Sequence, residues 1–257
     1  MPISQRPLSD PAQRGWLSDF GWDHGRLHIR KTDIRLKIDH KLVAEVLQWL
    51  PYLSILTVRS VWARLFRDPA LSIWFAPDRP RPWYLARGAA LWAGISVART
   101  AADADVSFYF DDVTSAADDI NLQGVLNGAC TDVSKSHVAS IFKDVFGYPL
   151  AVDPLTFKKP TVEKSEKNGV HDGRIFPADG EVSADCVYQR LVDTTDDDGA
   201  AHDLRTLCAN GSPVLVWLKI KPSGARFAIH NRKALLKDPT EMFSTDEIAR
   251  IGQFTAR

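Results

Sequence analysis

Apolar residues recur at every second position between Arg26 and His40, first as Leu27 and Ile29, then as Ile34, Leu36 and Ile38. That period predicts strands, and the basic residues between them read as solvated surface before they read as an anion site. From Lys41 the spacing turns helical, with Leu42, Val46, Leu47, Trp49 and Leu50 on one stripe. Pro51 is expected to open a second helical run through Leu56, Trp62 and Leu65 to Asp68. A proline cluster from Pro77 to Pro82 marks a boundary. Beyond it, Trp83 to Leu85 reads as a strand, Ala86 to Ala98 as a small-residue helix and Val106 to Phe110 as a second strand. This βαβ-like order predicts a small parallel sheet. Asp111 and Asp112 follow the last strand, where α/β sheets bind ligands, though two solvated turn acids would look the same.

The second half changes character. Asp132 or Ser134 is placed to cap a helix carrying Val138, Ile141, Phe142 and Val145 on one face and ending at Gly147. Short apolar strands follow at Thr161 to Glu163, Val187 to Val192, Pro213 to Ile220 and Ala225 to Ile229. The acidic run Asp193 to Gly199 reads as a solvated hairpin tip. A last helix opens after Ser244, with Asp246 and Glu247 in its first turn, where negative charge suits the dipole. The class is therefore α/β with α+β character in the second half. Three regions are expected: 1–80, strands and helices; 81–126, the βαβ unit; and 127–257.

Composition narrows the function classes. The chain of 257 residues is 45% hydrophobic and 25% charged, the mixture of a folded protein with a real core. Basic and acidic residues balance at 32 each, which argues against a nucleic-acid binder, since displacing phosphate counterions needs surplus positive charge. Cys130, Cys186 and Cys208 form no metal or disulfide spacing and point to a reducing compartment. The longest apolar uncharged stretch, Val46 to Val58, falls short of the ~20 residues that cross a bilayer. With no apolar signal core at the N-terminus, the expectation is a cytoplasmic protein without membrane attachment. The Trp- and Leu-rich helices of the first region are an expected surface for a protein partner or self-association.

The chemistry concentrates in the third region. A strand delivers Lys164 into Ser165-Glu-Lys-Asn168-Gly169-Val-His171-Asp172-Gly173, where glycines allow close backbone approach to a phosphate. Alone, this segment reads better as a charged hairpin loop. Lys135 precedes it at a helix start; Gln189-Arg190-Leu191-Val192 follows on an apolar strand, then Asp203-Leu-Arg205, then Lys219 and Lys221, then Arg226. This ordered series resembles the ATP-grasp superfamily over roughly residues 127–254.

The resemblance implies an ATP-dependent carboxylate–amine or carboxylate–thiol ligase working through an acylphosphate, on an incomplete ATP-grasp fold behind the βαβ unit. Lys135 and Lys164 would contact the nucleotide phosphates, and Asn168, Gly169, His171, Asp172 and Gly173 would form the flap. Gln189, Arg190, Leu191 and Val192 would form the hinge that reads adenine through its backbone. Arg205 would be the catalytic arginine steadying the transferred phosphoryl group, with Lys219 and Arg226 assisting. The implied cofactors are ATP and Mg2+, and the implied partner is a carboxylate substrate of unidentified structure. The family's magnesium ligands follow the helix that begins near Phe243, and no acidic-x-Asn strand follows it here, so no metal ligand is assigned. Two other readings compete. One is a non-catalytic scaffold derived from the same fold. The other is a metal phosphohydrolase using His171-Asp172 and His202-Asp203, which would need those pairs to converge.

Overall fold

The computed structural model describes residues 6–8, 16–30, 34–66, 71–116, 120–167, 172–177, 179–227 and 232–256. The chain is a mixed α/β protein that divides into two compact units, Met1–Thr131 and Asp132–Arg257. The expected boundary at residue 126 falls within five residues of this division, whereas the one at residue 80 separates no compact units.

In the first unit, β1 (Arg6–Pro7) pairs in parallel with a strand late in the unit, and β2 (Phe20–Asp23), β3 (Arg26–Ile29) and β4 (Ile34–Leu36) form an antiparallel meander. Arg35 of the expected basic face donates to Asp23 Oδ2 at 2.7 Å across that meander. The two helical runs predicted around Pro51 are a single helix, α1 (His40–Phe66), with Pro51 inside it. Proline removes one N–H and crowds the preceding turn, yet buried Leu56, Ser60 and Ala63 anchor the helix beyond it, so tertiary packing overrides the break.

The strand expected at Trp83 lies instead before the proline cluster, at β5 (Ser72–Pro77), whose Trp74, Phe75 and Ala76 are buried. Trp83 is in a turn and Leu85 opens α2 (Leu85–Ala93), which ends earlier than expected at Gly94. Gly94 has φ +77° and lies where a Cβ would come within 2.5 Å of Ala63, so both backbone and space require glycine. β6 (Ser96–Val97) and β7 (Val106–Phe110) flank β5 in parallel, confirming a parallel sheet while moving its central strand; β8 (Ile120–Asn121) is the partner of β1.

The second unit opens with α3 (Lys135–Phe146), capped by Ser134 and closed at Gly147, as the sequence pattern predicts. β9 (Thr161–Ser165), β10 (Arg174–Ile175) and β11 (Cys186–Arg190) form an antiparallel sheet in the order β10-β9-β11. β12 (Ala200–Ala209) and β13 (Ser212–Pro222) turn through Asn210 and Gly211, both with positive φ, the turn geometry that matches strand twist. The strand expected at Ala225 to Ile229 is a short 3-10 turn and bend as far as Phe227, with residues 228 and 229 outside the described set. The third strand of this sheet is β14 (Lys233–Lys237). α4 (Pro239–Met242) and α5 (Thr245–Thr255) follow, the latter opened by a capping box between Ser244 and Glu247. Val216 and Leu218 are buried on one face of β13, and Phe254 of α5 meets Phe142 and Phe146 of α3. Among the described residues no helix is long and apolar enough to cross a membrane.

Candidate functional site

On β9, side chains alternate, and Lys164 shares a face with Val162 and with Val187 and Gln189 of the paired β11. Lys164 Nζ donates to Gln189 Oε1 at 2.9 Å, and Gln189 is buried. Beside it, a Cβ on Gly173 would sit 3.1 Å from Phe227 Cδ1 and 3.6 Å from Lys164 Cγ. The ring of Phe227 thus packs against Gly173 closely enough that an added Cβ would have to displace it slightly. Asp172 accepts from the Ser165 amide at 3.2 Å, tying the loop back to its strand.

Lys135 approaches the same loop from the first turn of α3. Its Nζ donates to the Lys167 carbonyl at 2.5 Å, and the Ser136 amide donates to Glu166 Oε1 at 3.0 Å. Burial, and then the charge of Lys135, push the Lys164 pKa below the ordinary lysine value, while Asp203 and Asp172 oppose that shift. Lys164 therefore lies within electrostatic reach of groups from α3, the β9–β10 loop and β12.

Asp203 belongs to a cationic face. The β12–β13 register sets Asp203 against Lys219, Ala201 against Lys221 and Arg205 against Trp217, all on one side of the sheet. Asp203 Oδ2 is 3.4 Å from Lys221 Nζ and 3.5 Å from Arg205 Nε. Lys221 is buried and also donates to the Arg226 carbonyl at 3.3 Å. Burial first, then Arg205 and Lys221, lower the Lys219 pKa, with Asp203 opposing them. This charged cluster thus sets Lys135, Lys164, Arg205, Lys219 and Lys221 against Asp172, Asp203 and Glu166, an excess of positive charge suited to a polyanion.

The expected hinge is built differently. Gln189 and Arg190 lie within β11; the Arg190 amide donates to Leu150 O and the Leu191 amide to Pro160 O, both at 3.0 Å. Those amides are consumed by strand pairing and are not available to an adenine, so Gln189 enters the site by its side chain. Arg190 leaves the cluster altogether: its guanidinium lies 5.0 Å from the Tyr148 ring centroid and 5.6 Å from that of Phe157. Val192 is exposed beyond the strand. Arg226 is engaged elsewhere, with Nη2 donating to Thr195 Oγ1 at 2.8 Å. Asn168, Gly169 and His171 lie outside the described residues. His202 pairs with Asp196 at 2.9 Å, and adjacent strand residues face opposite ways, so His202 and Asp203 do not form one metal site. In the first unit Asp112 accepts a hydrogen bond from Tyr84, whose phenol is held above its usual pKa by burial and by that carboxylate.

Sequence reasoning named Asp203 and Lys221 in the ordered series without giving them a part in nucleotide binding, and passed over Trp217 and Phe227. The two-residue spacings Asp203/Arg205 and Lys219/Lys221 were the available signal, since each puts a pair on one strand face; the register that superposes the pairs was not readable. No protein-family model matches the chain, and neither a curated protein nor a solved structure is similar enough to match it.

Proposed function

We propose that the second unit binds ATP at the charged cluster formed by Lys164 of β9 and the cationic face of β12–β13, and that it is an ATP-grasp-type carboxylate–amine or carboxylate–thiol ligase. The observation that supports this reading most directly is that Lys164 interacts with both Lys135 and Asp203, and that Asp203 in turn meets Arg205 and Lys221. Cations that repel one another in a partly buried cluster have their energy lowered by a triphosphate, whose oxygens offer several charge-assisted hydrogen bonds at once. In the proposed reaction a carboxylate oxygen takes the γ-phosphoryl group and ADP leaves; an amine or thiol then displaces phosphate from the acylphosphate. Lys164, Lys135 and Arg205 would offset charge spreading over the phosphoryl oxygens. Among the described residues no group of three or more His, Cys, Asp or Glu side chains converges, so they do not fit a magnesium site and no step is derived through one.

A second reading rests on the first unit, where Leu47, Leu50, Val58 and Leu65 of α1 are exposed. Such a face suits a protein partner, and a non-catalytic scaffold would need nothing more.

Calorimetric titration with ATP and with inorganic tripolyphosphate separates the two. The ligase reading expects saturable binding of both, weakened by salt and changed less than about tenfold by removing magnesium. Failure of both ligands to saturate at millimolar concentration would leave the scaffold reading alone.

A further inference from the structure

We infer that the open face of β12–β13–β14 beside the cationic cluster binds an aromatic carboxylic acid, which on the ligase reading is the substrate that receives the phosphoryl group. Successive rows of side chains cross this sheet about every 7 Å. The first row is Ala201 and Lys221, the second Asp203, Lys219 and Ala234, the third Arg205, Trp217 and Leu236, and the fourth Leu207 and Leu215. Charge therefore gives way to apolar surface along one face, within the length of a small molecule.

Trp217 is 47% exposed and Leu236 65% exposed, so the third row presents a half-exposed indole and an exposed isobutyl group. Arg205 Nε comes within 3.5 Å of Asp203 Oδ2, and the side chain is 53% exposed, so part of the guanidinium edge stays open to solvent. That free edge of the guanidinium is the fork that takes a carboxylate in two parallel hydrogen bonds. Lys219 Nζ, from the neighbouring row, lies over one face of the Trp217 ring, 4.8 Å from its centroid. A ligand ring set against Leu236 and the remaining indole surface thus has Lys219 and Arg205 beside it, with Asp203 on the same row as Lys219. This matches a ligand with an apolar aromatic body and a negative end, and fits a neutral purine poorly. A carboxylate held there stands next to the lysines proposed to hold the triphosphate, as acceptor and donor must.

The test uses the full chain, with 3-phenylpropionate, its amide and acetate as probes. Binding is followed through the Trp217 indole N–H resonance, identified among the eight tryptophans by its loss in Trp217→Phe. The carboxylate should saturate and shift that resonance, with the amide and acetate at least about tenfold weaker. Trp217→Ala should lower 3-phenylpropionate affinity by about fivefold or more and ATP affinity by less. Equal affinities for the three probes or no saturation overturns the inference with no variant having to fold, and an unmoved Trp217 resonance overturns it as well. ATP titrated on the same samples separates the two ideas. ATP binding without 3-phenylpropionate binding removes this subsite alone. Specific 3-phenylpropionate binding without ATP binding upholds the subsite and removes the ligase role.

Discussion

Lys164→Met places a neutral side chain of similar length within the charged cluster and tests whether the lysine is there for a ligand or for the fold. Its visible structural role is one hydrogen bond, Nζ to Gln189 Oε1 at 2.9 Å. Removing it leaves a buried acceptor, a cost of about 1–3 kcal/mol. Against that, the variant relieves a partly buried charge that Lys135 further disfavours. The two effects oppose, so the net change in stability is expected to stay within about 1 kcal/mol, or a few degrees in Tm. Binding has no such cancellation. A charge-assisted hydrogen bond to phosphate contributes about 1.5–3 kcal/mol, so ATP and tripolyphosphate affinities should fall roughly 10- to 150-fold. Thermal unfolding with and without tripolyphosphate, paired with calorimetry, reads both quantities. A variant that binds ATP as the wild type does, or that unfolds about 3 kcal/mol more easily without ligand, refutes the argument, because Lys164 would then be a structural residue.

Other outcomes follow from neighbouring groups. Because the folded-state pKa of Lys164 is depressed, the unfolded chain holds more protons between that pKa and the ordinary lysine value of about 10.4. Ligand-free wild type should therefore gain stability relative to Lys164→Met as pH rises through that window, and denaturant titrations showing a loss would contradict the assigned cause. Gly173→Ala crowds Phe227, and its cost of about 1 kcal/mol should shrink in the Phe227→Ala background; strict additivity in the double-mutant cycle would deny the contact. Ser244→Ala removes the side chain that caps α5 and should lower stability by about 0.5–2 kcal/mol, with an unchanged Tm as the contrary result.

What was legible in the sequence was local. Ser134 and Gly147 bracket α3, and Ser244 with Glu247 opens α5, because a cap needs only the chemistry of a few adjacent residues. The parallel sheet of the first unit was legible as a kind, through Val106 to Phe110. Its central strand was not, since Ser72 to Pro77 is too short and uniformly apolar to show a period. Pro51 looked like a break because its backbone cost is local, whereas the buried Leu56 and Ala63 that carry α1 through it have partners in α2, far along the chain. The candidate site divides the same way. Lys135, Lys164, Arg205 and Lys219 could be chosen by residue type and order. That Arg190 turns away onto Tyr148 and Phe157, and that Asp203 stands opposite Lys219 and beside Lys221, depended on strand register. Register is set by long-range pairing and by the burial of Val216 and Leu218 on the far face; a shift of one residue would have turned every one of those charges to the other side.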